Sequence, residues 1–248
     1  MENLLFHSLT QELLINMKVV ILAGGFGTRL SEYTDSIPKP MVPIGKKPII
    51  EHIMEIYAYY GHKEFYIALG YKGEIIKDYF KNYKKDWKIN LIDTGIGTFT
   101  GGRLMRLKRY LENDHFLMTY GDGLSNININ ELIKFHKEHG KIVTISAVRP
   151  PARFGSLSLK GSEVVKFKEK TQLGESWING GYFVMSPKFF KFLKGDNTVL
   201  ESDPLEKVTE KKEIKAFRHE GFWQCMDHKQ DKDGLDEMIL KNKAPWIK

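Results

Sequence analysis

Lys18-Val19-Val20-Ile21-Leu22-Ala23-Gly24-Gly25-Phe26-Gly27-Thr28-Arg29-Leu30 is the stretch on which the fold turns. A short β-branched apolar run passes directly into a loop with three glycines. The run reads as a buried strand. The glycines let backbone amides come close to a ligand, and amides gathered after a strand suit phosphate oxygens. Thr28 adds a hydroxyl, and Arg29 adds a planar fork suited to phosphate. Two familiar loops fit poorly. A P-loop would end in Gly-Lys-Ser/Thr, whereas Gly27 is followed by Thr28-Arg29. A dinucleotide fingerprint would have a third glycine where Leu30 stands. The plainer reading of the glycines is a tight strand-to-helix turn.

Outward from this strand, apolar runs of strand length alternate with helical periodicity. Apolar residues at 49, 53, 56 and 60, with 50, 54 and 57 beside them, predict an amphipathic helix that Gly61 stops. Phe65–Leu69, Ile89–Ile92, Phe116–Tyr120 and Val143–Val148 read as strands. Glu74–Tyr83, a stretch around Leu104–Leu111, and Asn130–His139 read as helices. This alternation predicts an α/β fold, a mainly parallel sheet with helices on both faces. After Pro150 the pieces Ser156–Leu159, Val164–Phe167 and Gly181–Met185 predict a small antiparallel addition. Ser186-Pro187 carries the N-cap and first-turn proline of a further helix, and the polar stretch from Asp227 is helical in pattern. The expectation is one domain over residues 17–248, its first half about 17–115 and its second about 116–248. Residues 1–16 are expected to be an extension, with Leu5, Leu9 and Leu13 at helical spacing.

Composition narrows the class. The chain has 248 residues, 42% of them hydrophobic, which is enough for a substantial core without disulfides. Its single cysteine, Cys225, rules out an internal bridge and a cysteine-based zinc site, and points to a reducing, cytoplasmic setting. The formal charge of +7 favours anionic partners. The lysines are dispersed rather than massed in a block with interleaved aromatics, so phosphorylated small molecules are favoured over nucleic acid. No run reaches transmembrane length, so no membrane partner is expected. The first 16 residues lack the basic start, long apolar run and cleavage site of a signal peptide.

Pro38-Lys39-Pro40 fixes the backbone on both sides of one lysine, so Lys39 reads as a positioned cation or, equally on this segment alone, as a solvated lysine on an ordinary rigid loop; the nearby glycine loop favours phosphate binding. Asp122, in Tyr120-Gly121-Asp122-Gly123, and Asp227 each read equally well as a turn or cap residue. Two aspartates so far apart can share a cation only if the fold brings them together. The histidines form no convincing metal pair, and no nucleophile–base set is suggested.

Taken in order, several segments resemble the sugar-1-phosphate nucleotidyltransferase family. They are the glycine loop, Pro38-Lys39-Pro40-Met41, Gly45-Lys46-Lys47-Pro48-Ile49-Ile50, Tyr120-Gly121-Asp122, Phe167-Lys168-Glu169-Lys170, Asn179-Gly180-Gly181 and Gly221-Phe222-Trp223-Gln224-Cys225-Met226-Asp227. Within the family the chain is most similar to the glucose-1-phosphate cytidylyltransferases. The residues behind this are Gly70-Tyr71-Lys72-Gly73, Asp93-Thr94-Gly95, Thr100-Gly101-Gly102-Arg103-Leu104 and Lys243-Ala244-Pro245-Trp246.

The resemblance implies a Rossmann-like nucleotide-diphospho-sugar transferase fold, CTP and a sugar 1-phosphate as partners, and Mg²⁺ as cofactor. It also implies a homo-oligomer. Leu22, Ala23, Gly24, Gly25, Phe26, Gly27, Thr28, Thr98, Arg103 and Gly121 would contact the nucleotide. Arg29, Lys39 and Lys170 would be the catalytic cations, Glu169 and Asn179 would bind the sugar, and Asp122 and Asp227 would hold the metal. The family's proline after Glu-Lys is Thr171 here. The same reaction with UTP or a heptose phosphate, and a non-catalytic sugar-nucleotide sensor, stay open as alternatives.

Overall fold

The computed structural model describes residues 16–151, 155–169 and 176–248. Residues 1–15 of the extension, together with Lys170 and Thr171, lie outside the described residues. The first strand is β1 (Lys18–Leu22), followed by helix α1 (Ile49–Tyr59), β2 (Glu64–Leu69), α2 (Gly73–Phe80), β3 (Lys88–Asp93), α3 (Thr100–Arg106), β4 (Phe116–Tyr120) and the short β5 (Gly123–Ser125). Then come α4 (Ile129–His139), β6 (Val143–Val148), the hairpin β7 (Ser156–Lys160) and β8 (Glu163–Lys168), and β9 (Ile178–Met185). The chain closes with α5 (Asp203–Glu210), β10 (Ile214–His219), β11 (Trp223–Cys225) and α6 (Lys229–Leu240).

Among the described residues one seven-stranded sheet runs in the order β10-β6-β9-β4-β1-β2-β3. The pairs β1–β2, β1–β4, β2–β3 and β6–β10 are parallel, and β9 runs antiparallel to both β4 and β6. The alternation along β1 shows why the sheet needs cover on both sides. Val19 and Ile21 pack with Ile50, Ile53 and Tyr57 of α1. Val20 and Leu22 face the other way and pack with Leu104 of α3, Leu107 and Phe189. A strand buried on both faces reads as an unbroken apolar run, as this one does.

Two expectations are corrected. Gly181–Met185, placed by sequence in the antiparallel addition, belongs to β9 in the middle of the main sheet, and Tyr182, Phe183, Val184 and Met185 are all buried there. Of the three pieces expected there, Ser156–Leu159 and Val164–Phe167 do form a separate antiparallel pair, β7–β8. The helix expected around Leu104–Leu111 begins at Thr100 and breaks at Leu107, because its amino end is seated on a loop. Gly101 N and Gly102 N donate to Thr198 O, and a Cβ on Gly102 would lie 2.3 Å from Asp196 O.

The same helix supplies the knot that ties the strand ends together. Arg103 is 4% exposed. Its guanidinium donates to Leu69 O (3.0 Å) at the end of β2, and to Thr94 Oγ1 (2.8 Å), Gly95 O (2.7 Å) and Ile96 O (3.2 Å) after β3. It also reaches Gly24 O (2.9 Å) after β1. Arginine, with five donors in a fixed fork, can hold three loops at once where lysine cannot. Gly24 O and Leu69 O keep the donors Tyr71 N and Thr94 N, but losing Arg103 forfeits five hydrogen bonds from a charged group, each worth about 1.5–3 kcal/mol, and empties a buried site. Arg103→Ala is therefore expected to lower stability by at least about 3 kcal/mol, read as a lower urea midpoint at unchanged slope. An unmoved midpoint would show that the loops do not depend on Arg103.

Candidate active site

The parallel strands β1, β2, β3 and β4 end on one edge of the sheet, and the reversed β9 begins there. Such an edge is where open α/β sheets leave a crevice. Here it is a cleft of about 820 Å³ lined by the β1 loop, by residues 96–100, by the turn after β4, by the start of β9 and by β11.

The β1 loop forms one wall. Gly27 has φ +66°, a left-handed conformation, and a Cβ there would meet Thr34 and Lys39. Gly24 is glycine for another reason: a Cβ would lie 2.2 Å from the Arg103 guanidinium. The loop is moored by Ala23 N to Ala68 O (3.0 Å) and Tyr71 N to Gly24 O (3.1 Å). Among the described residues the amides of Gly24, Gly25, Phe26 and Gly27 have no backbone acceptor. Unpaired amides in a row make a concavity for an anion.

The Pro38-Lys39-Pro40 segment is as rigid as its prolines require. Lys39–Met41 is a single 3₁₀ turn with Met41 N on Pro38 O. Pro40 packs on Gly121, where a Cβ would lie 2.9 Å from the proline ring and 3.1 Å from Leu22 O. Lys39 is 9% exposed, and its Nζ lies 2.6 Å from Asp122 Oδ2 and 2.7 Å from Asp227 Oδ1. Arg29 reaches the other oxygen of Asp227 at 2.7 Å while remaining largely exposed itself. Burial opposes the charge on Lys39, but the two carboxylates overcome it and raise its pKa. Burial likewise opposes the charge on Asp227, and Lys39 and Arg29 outweigh it, holding that carboxyl below its usual range.

The aspartates meet through local pairing. β5 and β11 form a two-stranded antiparallel ribbon with Cys225 opposite Gly123, and Met226 N donates to Asp122 O (2.8 Å). Asp227 is not the helix cap. His228 stands at the N-cap, and Asp231 in the first turn reaches back to accept from Asp227 N (3.0 Å) and His228 N (2.9 Å), which leaves the Asp227 carboxylate to face the cleft. Burial and then the Asp227 charge push the Cys225 thiol up to about 12, so it stays protonated 3.6 Å from Asp227 Oδ2.

Most of the residues expected from the sequence line this cleft: Leu22 to Gly27, Arg29, Lys39, Thr98, Arg103, Gly121, Asp122, Asn179 and Asp227. Thr28 starts a 3₁₀ turn beside the loop and is not in the lining. Glu169 follows β8, near Gly155, and does not line the cleft; Lys170 lies outside the described residues. Arg103 reaches the wall with its terminal nitrogens already committed to Thr94 Oγ1 and four carbonyls, so it shapes that wall. Tyr120, Ile178, Glu201, Trp223 and Cys225 also line the cleft without having been singled out. Tyr120, Trp223 and Cys225 sit in quoted segments and could have been found; nothing local marks Glu201.

Two carboxylates converging on one cation are hard oxygen donors of the kind Mg²⁺ takes, usually with substrate phosphates completing its shell. Among the described residues no group of three or more His, Cys, Asp or Glu could hold a metal alone. The donor set therefore fits a divalent ion that arrives with a phosphate ligand. No helix among the described residues is long and apolar enough to cross a membrane.

Comparison with known proteins agrees with this geometry. The family model described as nucleotidyl transferase matches residues 18–224. A glucose-1-phosphate cytidylyltransferase of Salmonella typhimurium is 45% identical, the match covering 93% of this chain and 98% of that protein. The enzyme of the same name from Salmonella typhi is also 45% identical over the same shares. Among solved structures, HddC from Yersinia pseudotuberculosis superposes with a TM-score of 0.73 at 29% identity, over 90% of this chain and 99% of HddC. The chain thus belongs to the nucleotidyl transferase family, and within it stands with the glucose-1-phosphate cytidylyltransferases.

Proposed function

We propose that the protein transfers the cytidylyl group of CTP to α-D-glucose 1-phosphate, releasing pyrophosphate and giving CDP-glucose. The choice of base and sugar follows the similarity to proteins that carry that name. The chemistry rests on one observation: a buried lysine held between two carboxylates at the mouth of an amide-lined loop.

The sugar phosphate oxygen is already an anion near neutral pH, so attack on the α-phosphorus needs no general base. What opposes the reaction is the approach of one anion to another. Positioning and charge neutralisation are then the tasks of the protein. The amides of Gly24 to Gly27 and the exposed fork of Arg29 would hold the triphosphate, with Arg29 toward the departing pyrophosphate. Lys39 would face the α-phosphate. Asp122 and Asp227 would hold Mg²⁺, which when bound neutralises phosphate oxygens. Asn179 and Glu169 would bind sugar hydroxyls and Lys170 the sugar phosphate. Arg103 would keep the loops around the base in register. The whole catalytic unit would be residues 17–248, with its nucleotide half first. A cytoplasmic setting and a role in supplying CDP-sugars for lipopolysaccharide belong to the same proposal.

A homo-oligomer is supported by the β7–β8 hairpin, where Leu157, Leu159, Val164, Val165 and Phe167 are all more than half exposed. Apolar surface concentrated in this way marks an interaction site. Replacing Leu159 and Phe167 together by lysine should shift the protein to monomer in light scattering after gel filtration, without loss of folded signal.

Pyrophosphate release measured with four nucleotides and a panel of sugar phosphates tests the main reading. CTP with glucose 1-phosphate should be the fastest pair; a faster rate with UTP or a heptose phosphate would replace it. Asp122→Asn should lower kcat at least about a hundredfold, near 2.7 kcal/mol of barrier, in a protein that still folds, its melting temperature lowered only modestly because Lys39 keeps Asp227. Lys39→Met leaves two carboxylates facing each other. It should melt lower in CTP with EDTA and regain stability when Mg²⁺ is added to the CTP, while kcat stays depressed. If its melting temperature ignored Mg²⁺, the two aspartates would not be the metal ligands.

A further inference from the structure

A cleft that receives two anionic substrates is a costly place for an acid. Asp122 and Asp227 have Lys39 as counter-charge. Glu201, also in the lining, meets no cation among the described residues. Its partners are two neutral hydroxyls. Oε1 accepts from Tyr120 OH at 2.6 Å, and Oε2 accepts from Thr100 Oγ1 at 2.7 Å. Thr100 Oγ1 in turn accepts from Leu200 N at 2.9 Å, so both ends of the contact are anchored in the fold.

An ionised carboxylate can only accept, and this gives the network a direction. The single hydrogen of the Tyr120 hydroxyl must go to Glu201. Its oxygen is then an acceptor, and Asn179 Nδ2 donates to it at 3.3 Å. Asn179 Oδ1 takes Gly181 N at 2.8 Å. The two ends of an amide are hard to tell apart by shape, but here the bonding fixes them. One Nδ2 hydrogen of Asn179 is left over for a ligand. Burial, followed by the charge of Glu201, raises the Tyr120 phenol's pKa, so it remains the donor through the working pH range.

We propose that Glu201 is a positioning residue for the sugar half of the cleft: by holding the Tyr120 hydroxyl it decides which end of the Asn179 amide meets a substrate hydroxyl. This rests on the reading of the cleft as a sugar-phosphate and nucleotide site. Hydroxyls occur on the sugar and on the ribose of the nucleotide, and the structure favours the sugar, because the network's free donor, on Asn179, stands at the start of β9 and not at the β1 loop.

The test is steady-state kinetics with each substrate varied in turn, for Glu201→Ala, Tyr120→Phe and the double variant. Each single change should raise KM for the sugar 1-phosphate about threefold to tenfold, the worth of one hydrogen bond, with KM for CTP nearly unmoved. The double variant should be no worse than the poorer single, because both break one chain. Glu201→Gln, which keeps one acceptor oxygen, should fall between wild type and Glu201→Ala. Multiplying effects would overturn the proposal, as would unchanged KM for the sugar phosphate. A KM for CTP that rises as much would assign the network to the ribose instead, which also overturns it. If Glu201→Ala does not fold, Tyr120→Phe alone still decides, since its effect must vanish in an Asn179→Ala background. Wild-type turnover separates the two readings: if CTP and glucose 1-phosphate are not turned over, the proposed function fails, and Glu201 is judged on the sugar phosphate that is.

Discussion

The active site depends on one ammonium group shared by two carboxylates. Lys39 sits between Asp122 and Asp227, at 2.6 and 2.7 Å, in a place almost closed to water. A lone buried lysine would shed its proton, and two facing carboxylates would take one up. Together, Lys39 and Asp227 are each favoured in the charged form, and the contacts fix the position of all three side chains. The same arrangement describes what the site is built to handle: a positive centre against oxygen anions, with a second cation, Arg29, at the rim. A substrate phosphate and its metal would redistribute these charges without creating new ones in the interior.

Three pieces of backbone have to be placed to within a fraction of an ångström for that contact to form. The prolines fix Lys39 by limiting φ on either side. The β5–β11 ribbon carries Asp122 and Asp227 side by side, and Asp231, reaching back from the first turn of α6, releases Asp227 from helix duty. Gly121 lets Pro40 and the end of β1 approach the turn that bears Asp122. None of these features reacts with anything, yet removing one moves the charges.

Arg103 extends the same economy to the wall of the cleft formed by the β1, β2 and β3 loops. Its guanidinium fills the space beside Gly24 and Gly70 where a Cβ would otherwise stand, since a methyl on either would lie under 3 Å from it. Part of the glycine content of these loops is thus explained by a buried arginine rather than by the ligand alone. A glycine-rich loop read as sequence invites a phosphate at every glycine; in the folded chain Gly27 is glycine for its φ, and Gly24 for its neighbour.

By itself the sequence determined the strand at Lys18–Leu22, the alternation that covers both faces of the sheet, the rigid lysine, and the glycine loop that forms one wall of the cleft. These are local properties, written in side-chain period, proline and glycine placement, and residue type. It misplaced Gly181–Met185 because burial on both faces, not strand character, decides which sheet a strand joins. It passed over α5, β10 and the β5–β11 ribbon, whose short or polar runs owe their conformation to partners distant in the chain. Glu201 was invisible for the same reason, since an isolated glutamate acquires a role only when Tyr120 and Thr100 are brought to it. Whether two aspartates about a hundred residues apart could share one cation was likewise left to the tertiary structure, because charge acts through space and not along the chain.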